Sequence, residues 1–475
     1  MKYILEKNIL LCGYKNLPFA YFDVSNGRTS FTDREKYALI LDCDGKTEIS
    51  PEEQPKEIRE YFEELVERKI IRPASDSEEL EDYQKYRFFD NRFKEEVHFS
   101  VTGDCNYRCK HCFMSAPDAK FGIPTTEELF DWIDQMADCG IRKAGITGGE
   151  PLVRKDFLQL IRHMQEKGIV ITTIYTNGAL VNEKLLDGLD ALNTRPAFQI
   201  SFDGVGWHDW LRGIPGAEQK VYDAITLLKK RGFRVACTMV VHKNNADTIR
   251  ESANKLAELG CSSLKLGRAT DLGCWSKQGD YSLSAAECRQ IYLDYIDKYV
   301  EDGFPITLAE AGEFTFDKQE NKAIVGMDKG WNIVGKDDEK CMGASLCGVV
   351  RTGMYLSPEG KVLPCMSMID TPIAEKFSSL REKSLHDILN EGYYIECSSC
   401  VVKDLTEHNK KCKDCEYIGN CFGGCRAVAV QTGTMDYLAI DEETCQFFLD
   451  GWYDKFKAKC DEINKKVGAV KDAQL

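Results

Sequence analysis

Three cysteines stand close together between Val97 and Phe113, a stretch that reads VHFSVTGDCNYRCKHCF. Cys105, Cys109 and Cys112 have the spacing C-x3-C-x2-C. Thiolates grouped this tightly suit an iron-sulfur cluster, and three protein ligands on a four-iron cluster leave one iron open to a substrate or cofactor. A zinc knuckle, or chance spacing in a cysteine-rich chain, is the alternative that this stretch alone leaves open.

The composition favours a large acidic protein that binds clusters. The chain has 475 residues, 21 cysteines and a formal net charge of −15. This length predicts two or three domains. No apolar run reaches the ~18 residues of a membrane span, so we expect a cytoplasmic protein with no membrane partner. Cysteines at short intervals in such a chain favour cluster ligation over disulfides, and the negative charge counts against nucleic acid as a partner.

Residues 1–74 are predicted to form a separate unit of short strands followed by two helices. Asn26-Gly27 between apolar segments is a strong signal for a hairpin. Thr32 with Glu35 forms a capping box, which predicts the start of the first helix.

From residue 97 onward, strand-like runs alternate with amphipathic helices, the pattern of a parallel α/β sheet. The predicted strands are 97–101, 142–147, 170–176, 197–202, 234–241 and 263–268. The predicted helices lie near 125–139, 155–167, 181–190, 216–231 and 246–259. Six such units predict a partial barrel whose ligands gather at the C-terminal ends of the strands. Beyond it, we expect a loop over 267–280, a helix over 285–299 and irregular structure over 303–340.

Polar and glycine-rich loops follow successive predicted strands at this edge. A pair of glycines in TGGEP lets the backbone approach a ligand closely. An arginine suits a carboxylate ligand, while Asn177 suits a helix cap equally well. The candidate ligand-contacting residues are Gly148, Gly149, Glu150, Pro151, Asn177, Ser201 and Arg212.

Eight further cysteines form two groups near the C-terminus. The first group has the pattern C-x12-G-x4-C, and its SPEGK turn brings Cys365 back towards Cys347. The second group begins C-x2-C-x5-C-x3-C. The cysteines of the two groups together are Cys341, Cys347, Cys365, Cys412, Cys415, Cys421, Cys425 and Cys445.

Together these motifs resemble the radical S-adenosylmethionine (SAM) superfamily with a SPASM extension, over about residues 95 to 450. The resemblance implies SAM and three 4Fe-4S clusters. The SAM-binding cluster takes Cys105, Cys109 and Cys112. The first auxiliary cluster takes Cys341, Cys347, Cys365 and Cys425, and the second takes Cys412, Cys415, Cys421 and Cys445.

The resemblance also assigns SAM-contacting roles to residues of these loops. The backbone of the glycine pair and Glu150 hold the SAM amine, and Ser201 and Arg212 lie near its ribose and carboxylate. His111 stands where an aromatic residue often covers the adenine.

Residues 1–74 resemble, in topology, the winged-helix-like domain that recognises leader peptides by strand addition in many peptide-modifying enzymes. The alternative is a front domain that only stabilises the barrel. The predicted fold class is therefore α/β. The predicted domains are a winged-helix-like unit at 1–74, a linker at 75–96, a partial (β/α)6 barrel at 97–310, and a bridging region with a SPASM domain at 311–475.

The resemblance implies a radical SAM enzyme that cleaves SAM to a 5′-deoxyadenosyl radical and cross-links a ribosomally made precursor peptide by a thioether or carbon-carbon bond. An electron donor such as flavodoxin or ferredoxin is implied as a partner. The alternatives are an anaerobic sulfatase maturase and a non-catalytic iron-sulfur scaffold. Against the maturase, Met366 stands where those enzymes place an aspartate. The sequence assigns no general base and no role to Cys274, Cys397 and Cys400.

Overall fold

The computed structural model describes residues 1–75, 77–269, 273–278, 281–330, 339–431 and 433–472. The loop predicted at 267–280 therefore lies partly outside the described residues. Among the described residues, no helix is both long and apolar enough to cross a membrane.

The front of the chain folds as strands in two small sheets around two helices. Its strands are β1 Lys2–Leu5, β2 Ile9–Tyr14, β3 Leu17–Asp23, β4 Arg28–Phe31, β5 Asp44–Glu48, β6 Ile71–Pro73 and β7 Arg87–Phe89. Its helices are α1 Arg34–Asp42 and α2 Lys56–Glu67. One sheet has the order β5-β1-β6 and the other β4-β3-β2-β7.

Two local predictions for this unit can be compared with the structure. The hairpin at Asn26-Gly27 is confirmed, since Asp23 pairs with Arg28 across it. The cap of α1 is Asp33, whose side chain accepts a hydrogen bond from the Lys36 N–H, so the capping box predicted at Thr32 is wrong by one residue.

The linker predicted at 75–96 is wrong because part of it belongs to the front sheet. β7 pairs in parallel with β2. The side chain of Gln84 is buried and donates to the carbonyl of Glu6 at 2.9 Å. The front unit therefore extends to about residue 89, and strands follow its helices as well as precede them.

The front unit packs against the loop between the first barrel helix and the second barrel strand. The Tyr14 hydroxyl donates to the Gly140 carbonyl at 2.7 Å, and the Asn91 amide donates to the Cys139 carbonyl at 3.0 Å. Phe89 stacks on Tyr14 with ring centroids 5.2 Å apart. Since this loop enters a strand, the front unit lies at the amino-terminal ends of the barrel strands.

The predicted barrel strands and helices are confirmed with shifts of a few residues at their ends. The strands are β8 Glu96–Ser100, β9 Lys143–Thr147, β10 Val170–Thr176, β11 Ala197–Ser201, β12 Val235–Val241 and β13 Ser263–Arg268. The helices are α3 Thr126–Asp138, α4 Phe157–Glu166, α5 Glu183–Ala191, α6 His208–Arg212, α7 Ala217–Lys230 and α8 Ile249–Glu258. The strands run parallel in sequence order, so their C-terminal ends share one edge.

The irregular region predicted at 303–340 is wrong in its first half. After α9 Ala285–Glu301, the chain forms β14 Thr307–Glu310, β15 Phe314–Asp317 and β16 Lys322–Ile324. β14 adds in parallel to β13, and β15 and β16 continue the sheet as antiparallel strands. The domain boundary predicted at 310 therefore falls inside a hairpin.

The C-terminal region is mostly short helices, but it also joins the barrel sheet. Its elements are α10 Glu339–Met342, α11 Gly348–Thr352, β17 Gly353–Leu356, β18 Val362–Leu363, α12 Leu385–Ile388, α13 Tyr393–Ser399, α14 Val402–His408, α15 Lys410–Lys413, α16 Ile418–Cys421, α17 Arg426–Gln431, α18 Glu442–Leu449 and α19 Trp452–Asp472. β17 pairs in parallel with β8. The cysteine-rich region is thereby held beside the first barrel strand.

Candidate active site

A cavity of about 310 Å³ lies at the C-terminal edge of the barrel sheet and is lined by the three clustered cysteines. The same cavity is lined by the predicted residues Gly148, Gly149, Asn177, Ser201, Arg212 and His111. Glu150 and Pro151 do not line it. A larger groove of about 780 Å³ lies between the front unit and the barrel, but none of the clustered cysteines lines it. The smaller cavity is therefore the site where chemistry is expected.

Each of the three thiols has a hydrogen-bond donor. The N–H of Tyr107 points to Cys105 Sγ at 3.4 Å, and the N–H of Ala116 points to Cys112 Sγ at 3.3 Å. Burial raises the pKa of Cys105 to about 12. The free thiol is therefore protonated, and a cluster would have to displace that proton. Donors aimed at sulfur stabilise the thiolate that results, so this loop fits an iron-sulfur cluster.

The third thiol, that of Cys109, contacts a buried ion pair. Arg212 Nη1 lies 3.6 Å from Cys109 Sγ, while Arg212 Nε donates to Asp203 Oδ2 at 2.6 Å. Burial alone would raise the pKa of Asp203, but the Arg212 guanidinium outweighs it and holds that pKa well below its ordinary value. The Val240 N–H also donates to Asp203, at 3.0 Å. Asp203 thus fixes Arg212 beside the cysteine loop.

The glycine-rich loop packs directly on the start of the cysteine loop. The Glu150 N–H donates to the Asp104 carbonyl at 2.8 Å. A Cβ on Gly149 would lie 2.2 Å from that same oxygen, so only glycine permits the contact. Gly148 and Gly149 therefore present backbone to the cavity.

The Glu150 carboxylate joins this loop to the end of β10. It accepts hydrogen bonds from the Thr176 hydroxyl at 2.8 Å and the Asn177 N–H at 2.7 Å. Burial raises the pKa of Glu150 to about 7. A direct contact between this carboxylate and SAM stays a prediction.

Asn177 and His111 complete the lining from two sides. The Asn177 amide donates to Asn106 Oδ1 at 2.8 Å and so ties β10 to the cysteine loop. The following helix, α5, is capped by Asn182, so the helix-cap interpretation of Asn177 is wrong. Burial lowers the pKa of His111 to about 3, with a further contribution from Arg212, so its imidazole is neutral.

Several lining residues escaped the sequence analysis. Gln199 donates to the Thr238 hydroxyl at 2.7 Å, and both side chains line the cavity with Tyr175. Gln199 lies two residues before Ser201 on β11, and this period of two could have indicated it. Met366, which the sequence indicated only as the residue at the position of the maturase aspartate, reaches the same cavity from the C-terminal region. Only the fold brings that residue to the barrel.

A second cavity, of about 140 Å³, is lined by all the cysteines assigned to the second auxiliary cluster: Cys412, Cys415, Cys421 and Cys445. The N–H of Gly423 points to Cys421 Sγ at 3.2 Å. In the described part of the chain, no three histidine, cysteine or acidic side chains converge on a single metal ion. A cluster takes each thiolate on a different iron, so its ligands need not converge. These residues fit the cluster expected of them.

The ligand set of the first auxiliary cluster is partly assembled. Burial raises the pKa of Cys365, and the charges of Cys425 and Cys347 raise it further. These three cysteines therefore lie in one region of the fold. Cys341 is fully buried in a small hydrophobic core with Leu346 and other apolar residues. Its role as the fourth ligand stays a prediction.

Cys274, Cys397 and Cys400, to which the sequence assigns no role, do not line the cavities described above. The Cys274 N–H donates to the Cys112 carbonyl at 2.9 Å, which places Cys274 next to the end of the cysteine loop. Cys397 is buried, and the Cys400 thiol donates to the Glu396 carbonyl at 3.2 Å.

The partial barrel, the open-ended cysteine triad and the auxiliary cysteine sets define the class of protein: an iron-sulfur enzyme of the radical SAM type. Comparisons with known proteins agree. The radical SAM superfamily model matches residues 99–256, and the SPASM iron-sulfur cluster-binding domain matches residues 347–416. The chain therefore carries a radical SAM domain and a SPASM iron-sulfur domain.

The chain is similar to curated proteins with different substrates. It is 27% identical over 353 residues to the AdoMet-dependent heme synthase of Methanosarcina barkeri, covering 72% of this chain and 93% of that protein. It is 26% identical over 346 residues to the PqqA peptide cyclase of Granulibacter bethesdensis, covering 71% and 83%. The structure of Streptococcus suis SuiB bound to the precursor peptide SuiA matches with a TM-score of 0.63 at 16% identity, over 94% of this chain and all of that one.

Proposed function

We propose that this enzyme modifies a ribosomally made precursor peptide, abstracting a hydrogen and closing a thioether or carbon-carbon cross-link. One observation carries the proposal. The front unit folds on its own core, and no described residue before Cys105 lines the cluster cavity. Recognition by the front unit is thereby separated from chemistry in the barrel, as a substrate with a remote leader requires.

The relatives support this substrate class without deciding it. Two of them act on peptides or are bound to one, by their names, and the likeness to SuiB covers nearly the whole chain, front unit included. The heme synthase relative keeps a porphyrin as the substrate to exclude by experiment.

The cluster and SAM, when bound, would supply the radical that removes hydrogen, and the chain positions the substrate and excludes water. Arg212 and the glycine-rich loop fix the cavity around the cysteines. Gln199 and Thr238 line the cavity with polar groups that orient the peptide backbone of the substrate. Met366 closes the cavity with an apolar side chain, which excludes water and leaves no carboxylate base where a sulfatase maturase has one.

The leader peptide is expected at the free edge of β4. β4 ends its sheet, and its alternation with β3 directs the N–H groups of Thr29 and Phe31 outward. The Thr29 N–H lies 3.4 Å from a Glu95 carboxylate oxygen, and Phe31 is 42% exposed. An added strand would gain main-chain hydrogen bonds along this edge.

The position of the front unit sets the minimum number of residues between the leader and the modified part of the substrate. It lies at the amino-terminal ends of the strands, whereas the cavity lies at their carboxyl ends. β10 has seven residues, so the peptide must span about 23 Å between the two sites. The leader and the modified residues should therefore be separated by at least about seven residues. Electrons would come from a small carrier such as flavodoxin or ferredoxin.

The experiment compares Phe31→Pro with Phe31→Ala. Proline removes the outward N–H, whereas alanine keeps it and removes only the ring that contacts Phe93. We expect proline to weaken precursor binding at least tenfold, alanine to weaken it little, and both variants to cleave SAM normally without peptide. Equal precursor affinity in the two variants would refute strand addition, and turnover of a porphyrin in place of the peptide would refute the substrate class.

A further inference from the structure

Lys329 lies between β16 and α10, where its ammonium contacts two cysteine-bearing segments at once. Lys329 Nζ donates hydrogen bonds to the carbonyl of Leu346 at 3.1 Å and to the carbonyl of Gly424 at 2.7 Å. Each carbonyl belongs to the residue just before a ligand assigned to the first auxiliary cluster, Cys347 or Cys425. One side chain therefore joins the two segments that carry these ligands.

The same residue is fixed to the loop of the second auxiliary cluster. The Lys329 N–H donates to the Asn420 carbonyl at 2.8 Å. A Cβ on Gly330 would lie 1.7 Å from the Gly419 carbonyl oxygen, so this contact requires glycine. Burial lowers the pKa of Lys329, and charge on Cys347, Cys421 and Cys425 opposes this shift, which places the Lys329 side chain near all three cysteines. Lys329 thus lies between the ligand sets of both clusters.

We propose that Lys329 is a positioning residue that raises the reduction potentials of both auxiliary clusters. A four-iron cluster with four thiolates is negative, and reduction adds one more negative charge. Lys329 is half-buried, so water screens its ammonium less than an exposed charge, and the ammonium favours the reduced state over the oxidised state. Its hydrogen bonds also keep the ligand segments together. The inference rests on the cluster assignments and is independent of the peptide substrate.

The test uses the full chain reconstituted with iron and sulfide. Lys329→Gln keeps a hydrogen-bond donor and removes the charge, Lys329→Arg keeps the charge, and Lys329→Met removes both. Lys410→Met is the matched control, because that lysine lies two residues before Cys412 but is exposed to solvent. The readouts are iron content and the midpoint potential of each cluster from a redox titration followed by electron paramagnetic resonance.

We expect Lys329→Gln to lower both auxiliary midpoints by about 59 mV, a tenfold change in the ratio of reduced to oxidised cluster at fixed potential. Lys329→Arg, Lys410→Met and the SAM-binding cluster should keep wild-type values. A fully loaded glutamine variant with wild-type potentials would overturn the proposal. Loss of an auxiliary cluster in the glutamine and methionine variants but not in the arginine variant would support it, whereas loss in all three would overturn it.

Discussion

Replacing Asp203 with asparagine removes the negative partner of Arg212 from a buried ion pair. Asp203 is fully buried and Arg212 is 8% exposed, so the remaining guanidinium cannot recover its charge partner from solvent. Breaking a buried ion pair by removing one member destabilises a protein by about 3–5 kcal/mol. The pKa of Asp203 is lower in the folded state than its unfolded value of 3.8, so the carboxylate stays ionised at every pH above 3.8, and the stability it contributes is lost only as the pH falls below that value. The full effect should therefore appear at neutral pH and vanish only in acid.

The assay is anaerobic urea unfolding of the cluster-loaded protein, followed by tryptophan fluorescence, together with SAM affinity. Asp187→Asn is the control, because Asp187 also pairs with an arginine, Arg231, at 2.9 Å but is 69% exposed. A surface pair contributes about 0–1 kcal/mol. Asp203→Asn should lower the unfolding free energy by several kcal/mol more than the control and weaken SAM binding. Equal effects of the two substitutions would refute the role given to this pair.

Three other predictions concern stability and substrate. Glu310 is fully buried, neither of its carboxylate oxygens has a hydrogen-bond partner among the described residues, and burial raises its pKa well above 4.5. Its folded state holds the proton more tightly, so wild-type stability should fall as pH rises above 4.5, and Glu310→Gln should make this fall shallower in thermal melts at pH 5.5 to 8.5. The leader should carry lysine or arginine, since the chain is acidic, and its affinity in titration calorimetry should fall with salt; salt-independent binding would contradict this. Precursors whose spacer is cut below about seven residues should bind but remain unmodified by mass spectrometry, and their modification would contradict the position given to the leader.

The barrel could be predicted because its strands and helices have strong, regular periods. The strands from β8 to β13 each form a short apolar run before a polar loop, so their ends and the edge they share followed from the sequence. β14 to β16 were missed because they are three or four residues long and carry little pattern of their own. The linker was misjudged because β7 is held by its pairing with β2, which is a contact distant in sequence.

The site was predictable where its residues follow strand ends, and unpredictable where distant segments meet. The cysteine triad at 105–112 and the glycine pair each come from a single loop, and the structure brings these two loops to one cavity. Lys329 lies next to residues far away in sequence, so no spacing indicates it, and Met366 was indicated only by the resemblance to the maturases. The pairing of Asp203 with Arg212 also depends on α6 turning the arginine back towards β11.

The central claim is tested most directly by one reaction of the reconstituted enzyme with SAM, dithionite and a precursor peptide encoded beside it. The wild type should bind about twelve irons, release 5′-deoxyadenosine and yield a peptide lighter by a pair of hydrogens. A variant with alanine at Cys105, Cys109 and Cys112 should keep about eight irons and give neither product. SAM cleavage by that variant, or an unchanged peptide beside 5′-deoxyadenosine released by the wild type, would contradict the account.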